Sequence, residues 1–278
     1  RTGFLFHPEV LPLPQGSRKV LIVGGGPGGL QAAITCAERG HKAVLAEQGG
    51  VLGGTMNFTD TDGDKEDLRN FKNLLIREAK ECGTDIRLNT TVTKELLDEV
   101  QPDMILVAVG GHPFTPPIPG IEEAMDALSV YRSMDKIGHK VVLVGGGLVG
   151  CEVGLHLAAE GRDVTVVEMQ KMMAPETFGY YRNALLETMD ARGIHQLLGA
   201  KCLGFETGGV RVEQEGKEIF LPADTCVYSM GMKPNSEAVE AIKVLAGAIP
   251  VRTLGDCDHV AKMGDAVRAG YLAAMEIV

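Results

Sequence analysis

Gly24, Gly26 and Gly29 stand at the G-x-G-x-x-G spacing with which a backbone can hold a pyrophosphate. Each has a mechanical reason to be glycine. The first permits a tight turn out of a strand, the second lets the backbone approach a phosphate, and the third lets a helix pack closely on that strand. Glu47 follows Gly29 by 18 residues, where a carboxylate can accept hydrogen bonds from ribose hydroxyls. A helix beginning near Gly28 would turn unpaired N–H groups and roughly +0.5 of dipole charge towards the phosphates. The chemistry predicted is dinucleotide binding.

Such a turn works only when its neighbours hold it in place, and residues 18–47 supply them: a β-rich run, the turn, an apolar helix and a second strand ending at Glu47. The whole unit recurs. Val141 to Val144 lead into Gly145, Gly147 and Gly150, a helix to about Glu160, and a strand from Asp163 to Glu168. Gly24/Gly145, Gly26/Gly147, Gly29/Gly150 and Glu47/Glu168 all share an offset of 121 residues. The sequence therefore predicts two dinucleotide-binding units. Taken singly, either acid could be an exposed carboxylate at a strand end; the glycines before each favour the ribose role.

Between and after the units the chain carries further signals. Pro8, Pro12 and Pro14 mark residues 1–17 as a linker or arm. Gly49 to Gly54 is a second glycine cluster, either another close approach to a ligand or a flexible loop. Leu68, Phe71, Leu75 and Ala79 predict an amphipathic helix over roughly 66–81. Strands are expected at Asp85 to Leu88 and at Met104 to Val109, the latter stopped by Gly110. Pro113, Pro116, Pro117 and Pro119 give a stiff crossing between domains. A helix is expected near 178–192, and then three strands at Lys201 to Phe205, Val210 to Gln214 and Glu218 to Leu221. They lie too close together for crossover helices, so an antiparallel meander is predicted. Thr225 to Met230 is a further strand ended by Gly231, residues 231–248 are a second crossing, and Ile249 to Leu254 runs into Gly255-Asp256. Residues from Lys262 onward are helical, and would complete the first sheet with the strand before them.

Composition narrows the function classes. With 278 residues, 45% hydrophobic, the chain can bury a sizeable core. A net charge of −10 disfavours nucleic acid or an anionic membrane as partner. Six of the residues from Val20 to Ala37 are glycine or proline, which argues against a membrane span, and a cytoplasmic location is expected. The six cysteines form no C-x-x-C pair, so zinc, iron–sulfur and dithiol signatures are absent, and no histidine spacing suggests a metal. Scattered thiols fit a reducing compartment.

Two such units, with a Gly-Asp pair after the last strand, resemble the two-dinucleotide-binding flavoprotein superfamily that includes glutathione reductase. More specific phrases narrow the resemblance. Gly145 to Glu152, Met172-Met173-Ala174-Pro175, Gly231 to Ser236 and Gly270 to Ala274 look like the C-terminal half of NADH:flavin oxidoreductases. These are relatives of 2,4-dienoyl-CoA reductase, enoate reductase and bile-acid flavoenzymes. The resemblance covers about residues 18–278. It implies an α/β fold of two Rossmann-like domains of glutathione-reductase type, the second carrying the meander. Residues 18–115 with 247–278 would form a discontinuous FAD domain, and 120–235 an NAD(H) domain.

The resemblance also implies the site. FAD would lie on Gly24, Gly26, Pro27, Gly28 and Gly29, with Glu47 and Gln48 at its adenosine ribose and Gly53-Gly54 near its pyrophosphate. Gly110, Gly255, Ala266 and Asp256 would complete that site, Asp256 holding the ribitol. The nicotinamide nucleotide would take Gly145, Gly147, Leu148, Val149, Gly150, Glu168 and Gly231. Glu152 matches a glutamate near the flavin–nicotinamide junction of disulfide reductases, or is a helix carboxylate stabilised by the dipole. Because Glu168 favours a free 2′-hydroxyl over a 2′-phosphate, NADH is expected rather than NADPH.

Members carry an N-terminal barrel with FMN and a 4Fe-4S cluster. A chain opening at Arg1 without Met, with no cluster cysteines, is expected to be the electron-input fragment of such a protein. Hydride would pass from NADH to FAD, and electrons onward to the barrel, which reduces an activated C=C bond. No acid–base residue is assigned. Two other functions stay open: a nucleotide-binding structural module like that of trimethylamine dehydrogenase, which holds ADP, and a stand-alone NADH oxidase or quinone reductase.

Overall fold

The computed structural model describes residues 14–278; the first thirteen residues of the expected arm lie outside the described residues. The chain divides into two compact units. The first takes residues up to Asn57, Asp67–His112 and Lys233–Val278, and the second Phe58–Glu66 and Pro113–Met232.

The first unit is built on a five-stranded parallel sheet in the order Val251–Thr253, Met104–Val107, Lys19–Val23, Lys42–Ala46, Asp85–Arg87. Its strands are nearly all apolar because both faces are covered. Alternate side chains point to opposite faces. Val20 and Ile22 meet Leu30, Ala33, Leu75 and Ala273 on one side. Leu21 and Val23 meet Leu97, Val239 and Ile242 on the other. The order reverses between Lys19–Val23 and Met104–Val107, so the crevice where ligands bind in open α/β sheets opens beside Gly24.

Two helices on one face, Pro27–Glu38 and Met263–Met275, approach almost to backbone contact. A Cβ added to Gly270 would lie 2.1 Å from the Gly28 carbonyl oxygen. The final strand and helix thus return to the sheet begun by the opening turn.

The second unit repeats the plan, with a parallel sheet ordered Ala124–Asp126, Thr225–Tyr228, Lys140–Val144, Asp163–Glu168, His195–Leu198. Helices Leu148–Ala159 and Gly179–Ala191 lie against Val141, Leu143, Val164 and Val166. The antiparallel strands Ala200–Glu206, Gly209–Gln214 and Lys217–Pro222 form the predicted meander, with a register shift between Cys202 and Gly204. Phe205, Val210 and Val212 from it cover the opposite face, against Val142, Val144 and Val167. A crossover helix would bury the same surface in other folds of this class; here the meander does it.

Residues 231–248, expected as a crossing, hold a helix at Ser236–Ala246. Val239, Ile242 and Ala246 recur at helical spacing and are buried. Lys94–Val100 is a further helix, capped by the Thr93 hydroxyl at the Leu96 amide and closed by Gln101 in the left-handed region. No described helix is long and apolar enough to cross a membrane.

Candidate functional site

The first glycine turn owes its shape to contacts that exclude side chains. Gly24 adopts φ +108°, and its amide donates to the Ala46 carbonyl at 2.8 Å. A Cβ there would sit 2.4 Å from the Ala108 carbonyl oxygen, and one on Gly29 would sit 1.9 Å from the Gly24 oxygen. Gly26 is different. Its φ of −76° suits any residue, and nothing lies within 4 Å of where its Cβ would be. The turn is thus glycine on its outer side for a reason the protein's own packing does not supply. Pro27 begins the helix, which has no side-chain cap and no acid in its first turn. Pro lacks an N–H, so the first orphan donors of this uncapped helix are the amides of Gly28 and Gly29.

Glu47 closes the turn against the following loop. Its Oε2 accepts from the Gly25 amide and its Oε1 from the Gly49 amide, both at 2.7 Å. A carboxylate has about four acceptor sites, so capacity remains for hydroxyls beside these two bonds. Gln48 is exposed. The second glycine cluster is fastened to the turn, because the Gly53 amide donates to the Gly25 carbonyl at 2.8 Å. A Cβ on Gly54 would come within 2.9 Å of the Gly26 Cα. The cluster is therefore packed on the first turn itself.

The C-terminal segment meets the same helix start. A Cβ on Gly28 would lie 3.0 Å from the Ala266 carbonyl, and one on Gly255 would lie 3.5 Å from the Ala266 Cβ. Asp256, beside them, accepts from the Ala261 amide at 3.3 Å, and burial raises its pKa above the ordinary carboxylate value. Gly110, with φ +68°, accepts from the Asn235 amide at 3.1 Å. The residues expected around the first turn are thereby gathered at one end of one sheet. No second Gly-Asp pair follows the last strand of the other unit.

The second turn reproduces the first almost bond for bond. The Gly145 amide donates to Val167 O at 2.8 Å with φ +111°, and a Cβ on Gly150 would again lie 1.9 Å from the Gly145 oxygen. Glu168, 7% exposed, accepts from the Gly146 amide at 2.7 Å and from the Gln170 amide at 2.8 Å. Gly147 has an ordinary φ of −67°, and Val149 is exposed. Gly231, at φ +90°, accepts from the Phe114 amide at 2.9 Å. Cys151 is buried against the Gly146 carbonyl. Burial, with help from Glu176 and Glu168, pushes its thiol up to about 12, so it is a packing residue rather than a redox thiolate.

Glu152 has partners of its own. Lys65 Nζ lies 2.6 Å from its Oε1, and the Tyr181 hydroxyl donates to it at 2.7 Å. Burial, then this carboxylate, raises the Tyr181 pKa. With Asp64 and Arg192 these residues line a cleft of about 260 Å³. Lys65, Tyr181 and Glu176, whose carboxylate accepts from the Leu148 amide at 2.6 Å, were missed from sequence. None belongs to a motif, and only the folded chain brings them to the second helix. Among the described residues no group of His, Cys, Asp and Glu could hold a metal, and the six cysteines are unpaired.

Comparison with known proteins gives this geometry its family. The family described as pyridine nucleotide-disulphide oxidoreductase matches residues 18–274. The chain is 35% identical over 268 residues to an "NADH oxidase" of Thermoanaerobacter brockii, covering 94% of this chain and 41% of that protein. It is 33% identical to a "bilirubin reductase" of Mediterraneibacter gnavus, covering 98% and 42% respectively. Among solved structures, a 2-naphthoyl-CoA reductase superposes with a TM-score of 0.90 at 25% identity, over 97% of this chain and 41% of that one. The chain thus spans about two-fifths of the length of these relatives. It belongs to the pyridine nucleotide-disulphide oxidoreductase family.

Proposed function

For this chain, an FAD-containing NAD(P)H oxidoreductase unit by family, we propose that the first glycine turn holds FAD and the second holds NADH. The observation that carries the assignment is an asymmetry between two otherwise matching turns. Gly255-Asp256 and the C-terminal helix converge on the first turn at Gly28. FAD carries a ribitol chain that a nicotinamide nucleotide lacks, and Asp256 has the acceptor oxygens such a chain requires. FAD bound there supplies a hydride acceptor. The chain's own residues bind and orient: glycine amides meet pyrophosphates, and Glu47 and Glu168 accept from riboses. Gly26 leaves room where a phosphate must lie.

NADH is favoured over NADPH because Glu168 sits at the second strand end and its charge repels a 2′-phosphate. The relatives' greater length fits a larger enzyme, and the resemblance to NADH:flavin oxidoreductases points to electrons passing there towards an iron–sulfur cluster and FMN on an N-terminal barrel. There an activated C=C bond is the expected acceptor. Unpaired thiols scattered through the chain fit the reducing cytoplasm.

The test is anaerobic addition of NADH to the purified chain with its native cofactor. Bleaching of the flavin absorbance bands by one equivalent supports the assignment. A colourless protein releasing ADP would sink it in favour of the structural module. Continued NADH consumption in air, without any barrel, would instead favour a stand-alone oxidase.

A further inference from the structure

The two turns differ at one further point. The loop after the second strand repeats at the same offset of 121 residues, since Ala174 N donates to Gly146 O at 2.7 Å as Gly53 N does to Gly25 O at 2.8 Å. Two residues on, the first unit has Thr55 and the second has Glu176. The Glu176 Oε1 accepts from the Leu148 amide at 2.6 Å and lies 3.2 Å from where a Cβ on Gly147 would be. At Gly26, the matching position, nothing lies within 4 Å. Leu148 is the first residue of the helix whose open amides would face a pyrophosphate. A carboxylate of the chain itself therefore stands at the anion position of the second turn.

From this we infer that Glu176 is an internal competitor of the nucleotide pyrophosphate, a latch that the nicotinamide nucleotide displaces when it binds. The inference rests on the second turn being the nucleotide site. Its loop is held by Met173 and Ala174, which are fully buried, and by Arg182 Nε donating to the Met173 carbonyl at 2.7 Å. Glu176 itself is exposed, so its side chain can rotate away without moving the backbone. Two negative groups cannot share one amide cluster, so the latch lowers affinity at this turn alone. That suits the two ligands. A cofactor stays bound, whereas a hydride donor must leave after every turnover, and Thr55 puts no charge against the turn that holds the cofactor.

The flavin-loaded chain would be titrated calorimetrically with ADP-ribose, which carries the pyrophosphate, and with adenosine, which lacks it. A surface carboxylate at a helix N-terminus sets the scale, so Glu176→Ala should bind ADP-ribose about two- to fivefold more tightly and adenosine unchanged. Glu176→Gln, which removes only the charge, should shift in the same direction by less. Equal or weaker ADP-ribose binding by Glu176→Ala would overturn the latch while leaving the nucleotide site intact. An equal gain for adenosine would overturn it too, pointing to loop packing. If even the wild-type chain fails to bind ADP-ribose, the nucleotide site falls, and the latch with it.

Discussion

Glu47 and Glu168 each make bonds that their spacing in the sequence does not announce. Spacing placed each at a strand end as a ribose acceptor. In the structure each also ties its glycine turn to the next loop, through two backbone amides apiece. No spacing rule encodes those bonds, because they depend on the turn curling back over the strand end. The consequence is energetic. Replacing Glu168 by Ala leaves the buried Gly146 amide without an acceptor and the part-buried Gln170 amide to water, a loss of about 2–4 kcal/mol for hydrogen bonds to a charged group. Urea unfolding monitored in the second unit should show that loss, with Glu168→Gln intermediate. A change below about 0.5 kcal/mol, within the range of ordinary surface substitutions, would mean that the carboxylate serves ligands alone.

At the scale of elements, what sequence revealed depended on pattern length. Long periodic segments were legible: the paired βαβ units, the helix at Glu66–Glu81 and the meander all appear where spacing placed them. The helix at Ser236–Ala246 was not, because proline and glycine before it suggested a crossing and its apolar stripe is only three residues long. Segment 58–66 was less legible still, because it follows the first unit's glycine loop in sequence but groups with the second unit. Asp62 accepts from the Tyr131 hydroxyl at 3.3 Å, Phe58 packs against that ring at a 40° tilt, and Asp64 takes a two-pronged bond from Arg192 at 2.6 and 3.1 Å. Arg192 holds the Asp64 carboxyl below its ordinary value of 3.8. A depressed carboxylate stabilises above its unfolded pKa, and the contribution is lost as pH falls through the lowered folded value. Arg192→Ala should therefore speed hydrogen exchange across 58–66 at neutral pH, after correction for intrinsic rates. Variant and wild type should converge once the pH has fallen below the lowered carboxyl pKa of wild-type Asp64. A difference that persists in acid would assign the effect to lost packing of the guanidinium instead.

In the molecule as a whole, one supersecondary plan is used twice and finished differently each time. Both turns need glycine at their inner positions for the same steric reason, a Cβ 1.9 Å from a carbonyl oxygen at Gly29 and at Gly150. Substitution there would test folding. Gly26 and Gly147 have ordinary backbone angles, and an added Cβ meets nothing at Gly26 and only the end of the exposed Glu176 side chain at Gly147, so a side chain there tests ligand binding rather than folding. The most direct measurement is the flavin spectrum of Gly26→Val and Gly147→Val, recorded before and after anaerobic NADH. Gly26→Val is expected to be purified without flavin. Gly147→Val is expected to keep its flavin, with bands that no longer bleach. Should Gly147→Val lose the flavin while Gly26→Val keeps it but resists NADH, the two turns would hold each other's ligands and the account would be reversed.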